Sequence, residues 1–115
     1  MLTLPRSAPV FVCREPCDMR RSFDGLSRMV EAVVGGDPFS GHLFVFRNRR
    51  GDRLKVLFWD GDGFAIYYKR LERGVFVLPD AVRGEPAIRA SDLAMLLDGV
   101  DVSSVRRYPR YSRKV

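Results

Sequence analysis

Residues 42–71 read HLFVFRNRRGDRLKVLFWDGDGFAIYYKRL. Three runs rich in Val, Ile, Phe and Tyr are separated by NRRGD and DGDG, and that punctuation decides the fold. β-Branched and aromatic side chains favour a pleated, half-buried surface, and short glycine-bearing loops connect antiparallel hairpins. In RLKVLFWD, Leu54, Val56 and Phe58 alternate with Arg53, Lys55, Leu57 and Trp59. In FAIYYKRL, Phe64, Ile66 and Tyr68 share one side, and Tyr67 and Lys69 share the other. The segment predicts an antiparallel meander, since three paired strands with an apolar face stand where two do not. A short fourth strand is expected at GVFVLP (74–79), stopped by Pro79.

Working outward, PVFVC (9–13) is a strand candidate. Asp18 then reads as a helix N-cap. Behind it Met19, Phe23, Leu26, Val30 and Val33 recur at spacings of four, three, four and three, the stripe of an amphipathic helix. The helix should run from about Asp18 to Val34 and end at Gly35-Gly36. Its stripe should pack on Val45, Val56, Phe58 and Phe64 or their sheet neighbours. Burying five such side chains contributes on the order of 8–12 kcal/mol before entropy, so Phe23→Ala is expected to be severe. On the C-terminal side, residues 80–89 read as loop. Ser91 then caps a short helix, DLAMLLDG, with Leu93, Leu96 and Leu97 inward and Gly99 past its end. The expected fold is α+β: an antiparallel β-meander of three to five strands, one main amphipathic helix on one face and a short C-terminal helix. A single domain should span 1–102, with a basic flexible tail over 103–115.

A chain of 115 residues is one domain by size and needs no staples to bury a core. No apolar run approaches the ~18 residues that span a bilayer, and the N-terminus lacks a signal-peptide pattern. A cytosolic protein with no membrane contact is expected. Cys13 and Cys17 stand at a C-x-x-x-C spacing that fits no common zinc or redox motif, and His42 is the one histidine. Two reduced cysteines and no metal follow. The Asp60–Gly63 run lacks the further acids of a calcium loop and reads as a hairpin turn. Ser22 and Ser40 sit in no nucleophile elbow. No glycine-rich loop has phosphate- or dinucleotide-binding spacing. Asp18, Asp24, Asp60, Asp62 and Asp98 are explained by caps and turns rather than a two-metal site. The sequence therefore predicts no catalytic residues, no cofactor and no enzyme.

The formal charge of +6 is placed, not diffuse. Residues 47–55 carry five basic residues and one acid, residues 103–115 carry five and none, and the rest is net acidic. Seventeen of the 20 basic residues are arginine, whose planar fork suits phosphate; genome composition is a competing explanation of that ratio, though not of the clustering. The candidate nucleic-acid-binding residues are Arg47, Arg49, Arg50 and Arg53 at the first hairpin tip, Lys55 and Lys69 on the strands, and Arg106, Arg107 and Arg110 in the tail. A basic hairpin can grip phosphates. It can also be a solvated edge that discourages aggregation, though the second basic cluster in the tail favours binding. Trp59 reads either as a stacking platform for a base or as a packed residue under the hairpin.

DMRRSFDGL (18–26), DPFSGHLFVFRNRRGDRLKVLFWDGDGFAIYYKRLERGVFVLP (37–79) and LAMLLDGVD (93–101), in that order, resemble the small accessory protein of the insertion-sequence-sixty-six class of bacterial transposable elements. That protein is the second open reading frame product, often labelled TnpB and unrelated to the guide-RNA nuclease sharing the label. The resemblance covers about residues 9–101. It implies an accessory role in transposition beside a larger transposase that carries the catalytic acids, so DNA and that transposase are the implied partners. The recurrent positions it implies are Asp18, Arg20, Phe46, Arg49, Lys55, Trp59, Asp60, Gly63, Tyr68, Lys69, Leu71 and Gly74, with no binding role attached to any. Two readings stand: a nucleic-acid-binding accessory protein, or a protein-interaction module that docks on the transposase. An exposed sheet edge also leaves room for a homodimer.

Overall fold

A computed structural model describes residues 8–98. The meander forms where the alternation placed it: β2 (Leu43–Arg47), β3 (Arg53–Trp59) and β4 (Phe64–Arg70) pair antiparallel in sequence order. Two further strands extend it on one side. β1 (Pro9–Val12) lies beside β2, and β5 (Ile88–Arg89) lies beside β1, giving the order β4-β3-β2-β1-β5.

The sheet is mixed rather than purely antiparallel, because β1 runs parallel to β2, with Phe11 opposite Phe44. The cause is the connection. Parallel neighbours need a crossover of a dozen or more residues, and the main helix lies between the two strands. GVFVLP forms no strand. Val75 and Val77 are exposed while Phe76 is fully buried, its N–H donating to Gly51 O at 2.8 Å. The fifth strand instead arises inside residues 80–89, expected to be loop, where Ile88 pairs with Val10.

The main helix starts later than its apolar spacing suggested. α1 spans Phe23–Met29, with Ser22 at the N-cap, and continues into a π-helical turn over Val30–Val34. Asp18 is no cap. Its carboxylate accepts the Arg20 N–H at 2.9 Å and binds the Arg20 guanidinium at 2.7 Å, an Asx turn. Those hydrogen bonds hold the Asp18 carboxyl down to about 2. Met19 therefore precedes the helix and Phe23, 44% exposed, lies outside the core. Leu26, Met29, Val30 and Val34 are buried. The wide π turn carries Val34 inward and leaves Val33 half-buried.

Each face of the sheet has its own core. α1 packs on Phe11, Phe44, Phe46 and Leu57, with Phe64 and Ile66 partly covered. Val45, Val56 and Phe58, expected under that helix, face the other way. They pack with Val10, Leu54, Phe76 and α2 (Ala90–Leu97). Leu93, Leu96 and Leu97 point inward as their spacing required. Arg89, not Ser91, is the N-cap of α2, and the Asp92 carboxylate accepts the Arg89 N–H at 3.2 Å. Gly99 and the tail over 103–115 lie outside the described residues.

Candidate nucleic-acid interface

The β2–β3 hairpin turns at Asn48–Asp52. The Gly51 N–H donates to Asn48 O at 3.1 Å, and Gly51 takes φ +81°. A left-handed residue there suits glycine, and an added Cβ would come within 3.3 Å of Val75. Asn48 locks the turn from inside, accepting the Arg53 N–H at 3.0 Å and donating to Asp52 at 2.7 Å. That bond holds the Asp52 carboxyl below the usual range. Arg49 and Arg50 occupy the two central positions of the turn. Both are exposed, and neither makes a hydrogen bond or ion pair among the described residues.

The other sequence candidates sit differently. Arg47 is half-buried and donates to Phe76 O at 2.8 Å, pinning the 71–78 segment across the hairpin. Arg53 donates to the Tyr68 hydroxyl at 3.2 Å. Lys55 is 8% exposed and its ammonium faces inward. It donates to Met19 O at 2.7 Å and Arg21 O at 2.8 Å, and lies 4.7 Å from the Tyr68 ring centre. Lys69 donates to the Leu97 carbonyl, at the C-terminal end of α2, where a cation is favoured. Arg106, Arg107 and Arg110 lie outside the described residues.

Lys55→Met tests the structural role of that ammonium. It keeps the buried stem and removes two charge-assisted hydrogen bonds, leaving the two carbonyls to find water. A loss of about 2–3 kcal/mol is expected, read by urea unfolding. Any nucleic-acid binding should keep its salt dependence, because the ammonium does not face solvent.

Topology adds arginines that linear spacing did not mark. Since β1 and β2 are parallel and β2, β3 and β4 alternate, the ends of β1, β2 and β4 share one rim with the start of β3. Arg14, Arg70 and Arg73 thereby join Arg47, Arg49, Arg50 and Arg53. The strand order was the missing signal, for a strand, helix and strand in sequence already imply a parallel pair. An open cleft of about 420 Å³ lies on this rim, lined by Arg14, Arg47 and Arg49 together with Asn48, Pro79 and Asp80. Glu72 pairs with Arg70 at 3.0 Å, so this rim is not purely cationic.

The opposite rim of the meander is acidic and aromatic. The 60–63 turn carries Asp60 and Asp62, and Asp60 N–H donates to Gly63 O at 2.8 Å. Trp59 packs edge-on against Phe39 and Phe64, with ring centres 5.2 and 5.1 Å away. Phe39 is 58% exposed. Trp59 is thus a packed residue in the structure, at the end of the sheet away from Arg49.

Both cysteines are free and buried. Burial pushes the Cys17 thiol up to about 11 and raises Cys13 as well, whereas thiolate is the reactive and metal-binding form. Among the described residues no His, Cys, Asp and Glu group could hold a metal ion, and no helix is long and apolar enough to cross a membrane.

A family model described as "IS66 Orf2 like protein" matches residues 8–107. Two proteins of Sinorhizobium fredii (strain NBRC 101917 / NGR234) are similar over nearly their whole length. Uncharacterized protein y4jC is 35% identical over 109 residues, 95% of this chain and 93% of its own. Uncharacterized protein y4hO is 42% identical over 101 residues, 88% of each chain. No solved structure matches.

Proposed function

The chain belongs to the IS66 Orf2-like family, which associates it with transposition, and on that premise we propose that it is a non-catalytic accessory protein that binds nucleic acid through the arginine rim. The observation that carries this reading is the state of Arg49 and Arg50. A rigid turn, locked by Asn48 and Gly51, holds two adjacent guanidinium groups in solvent, neither in a hydrogen bond or ion pair among the described residues. Arg14 and Arg47 supply further donors along the same cleft. Forked donors presented from a fixed base suit a phosphate backbone. The test is fluorescence anisotropy with element-end duplex, scrambled duplex and structured RNA at several salt concentrations. Binding that weakens steeply with salt and differs little between the two duplexes is expected. No binding at low salt would overturn the reading.

The exposed aromatic cluster at the far rim favours a second reading, docking on the transposase of the same element. Aromatic side chains framed by acids suit a protein partner that presents basic residues around an apolar anchor. Phe39→Ala removes the most exposed ring without opening the core. In co-purification with the transposase it should weaken capture by roughly tenfold while DNA affinity stays unchanged. Capture that is unaffected would remove this rim from the interface.

A further inference from the structure

β4 is the outer strand of the sheet on the side away from β1. Antiparallel ladders alternate between pairs that exchange N–H···O bonds and pairs that do not. Asp60 N–H donates to Gly63 O, and Leu71 N–H donates to Asp52 O, each at 2.8 Å. Both pairs are thus of the bonded kind, and the register between them assigns Ala65, Tyr67 and Lys69 to the same kind. The N–H and C=O groups of Phe64, Ile66, Tyr68 and Arg70 therefore point away from β3, along an edge beyond which no strand lies among the described residues.

Protein sheets blunt such edges with proline, bulges, short strands or inward charges. This edge runs for seven residues, FAIYYKR, with no proline, no glycine and an unbroken register. Its first five side chains are uncharged and Tyr68 is 47% exposed. Charge enters only at its ends, acidic before the strand and net basic after it. Asp60 and Asp62 precede the strand, while Lys69 and Arg70 close it and Glu72 and Arg73 follow.

That polarity selects the occupant. A parallel copy would set arginine beside arginine and aspartate beside aspartate. An antiparallel copy sets Arg70 beside Asp62 of the partner subunit and continues the hydrogen-bond ladder outward. The ion pair of Arg70 with Glu72 is exposed at 3.0 Å, and such pairs hold too weakly to block the exchange. We propose that the protein forms a two-fold homodimer by antiparallel pairing of its β4 edges.

Sedimentation equilibrium of the full chain tests this. The parent should be dimeric. Tyr68→Pro removes an outward N–H that is not part of the β3 ladder, and should give a folded monomer by circular dichroism. Should that variant unfold, charge exchange decides instead. Asp62→Arg and Arg70→Asp should each weaken association by roughly tenfold, and the double variant should regain it. A parent that is monomeric at every concentration overturns the proposal. So does a dimer indifferent to the charge changes, or a double variant that fails to recover.

Discussion

Phe46→Ala should lower folding stability by about 4 kcal/mol, while Phe23→Ala should cost less than about 1 kcal/mol. The two phenylalanines differ in surroundings, not chemistry. Phe46 is fully buried in β2, between the sheet and α1, in a cluster with Leu26, Phe44 and Leu57. Truncation there removes apolar area and leaves a cavity that the paired backbone cannot collapse to fill, because Phe46 lies opposite Lys55 in the β3 ladder and β1 flanks β2 over Leu43–Val45. Phe23 opens α1 and is 44% exposed, so its loss is partly refilled by water. Domains of this size are stable by only about 5–15 kcal/mol, so Phe46→Ala should remove roughly a quarter to four-fifths of that and lower the urea midpoint in proportion. Equal costs for the two variants would mean that α1 begins nearer Asp18 than Ser22 and turns Phe23 inward.

The same pair of residues shows what a sequence conveys and what it withholds. The meander was legible because period-two alternation and glycine turns are local signals, and β2, β3 and β4 are held by neighbours in sequence. The helical stripe was legible as a stripe. Its first turn was not, because Asp18 satisfies its own backbone as readily as it caps a helix. The Lys55 position asks for the carbonyls of Met19 and Arg21 to face it, a contact across more than thirty residues that no local pattern records. Alternation placed Lys55 opposite Leu54 and Val56. It could not say that its side of the sheet would be roofed by backbone oxygen rather than water. For the same reason β5, two residues held only by β1, carries no periodicity of its own.

Sorting the basic residues by partner sharpens the functional expectation. Lys55 and Lys69 donate to backbone carbonyls, and Arg47 bridges to Phe76 O while lining the cleft. Fold maintenance accounts for the two lysines. It does not account for Arg49 and Arg50, which make no hydrogen bond or ion pair among the described residues, yet sit on a turn built with an internal asparagine lock and a left-handed glycine. A solvated tip would serve with any polar pair. A guanidinium pair on a rigid turn is what a phosphate backbone would select.

The double substitution Arg49→Ala/Arg50→Ala should leave stability within about 0.5 kcal/mol of the parent, as surface changes away from packing do. Its effect should fall on nucleic-acid binding. Each arginine that neutralises a phosphate releases a counterion, so losing two should flatten the dependence of log affinity on log salt by about 1.8 units. Because the contacts are to phosphate, duplexes of different sequence should lose affinity together. Truncation from Ser104 onward should weaken binding further without abolishing it, since the rim arginines remain. Lys55→Met is the opposite control, with lower stability and an unchanged slope. Should the double variant bind with the parent's affinity and slope, the tip would be a solvated guard on the hairpin, and the nucleic-acid reading would have to rest on Arg14, Arg70 and Arg73 or be given up in favour of docking through the aromatic rim.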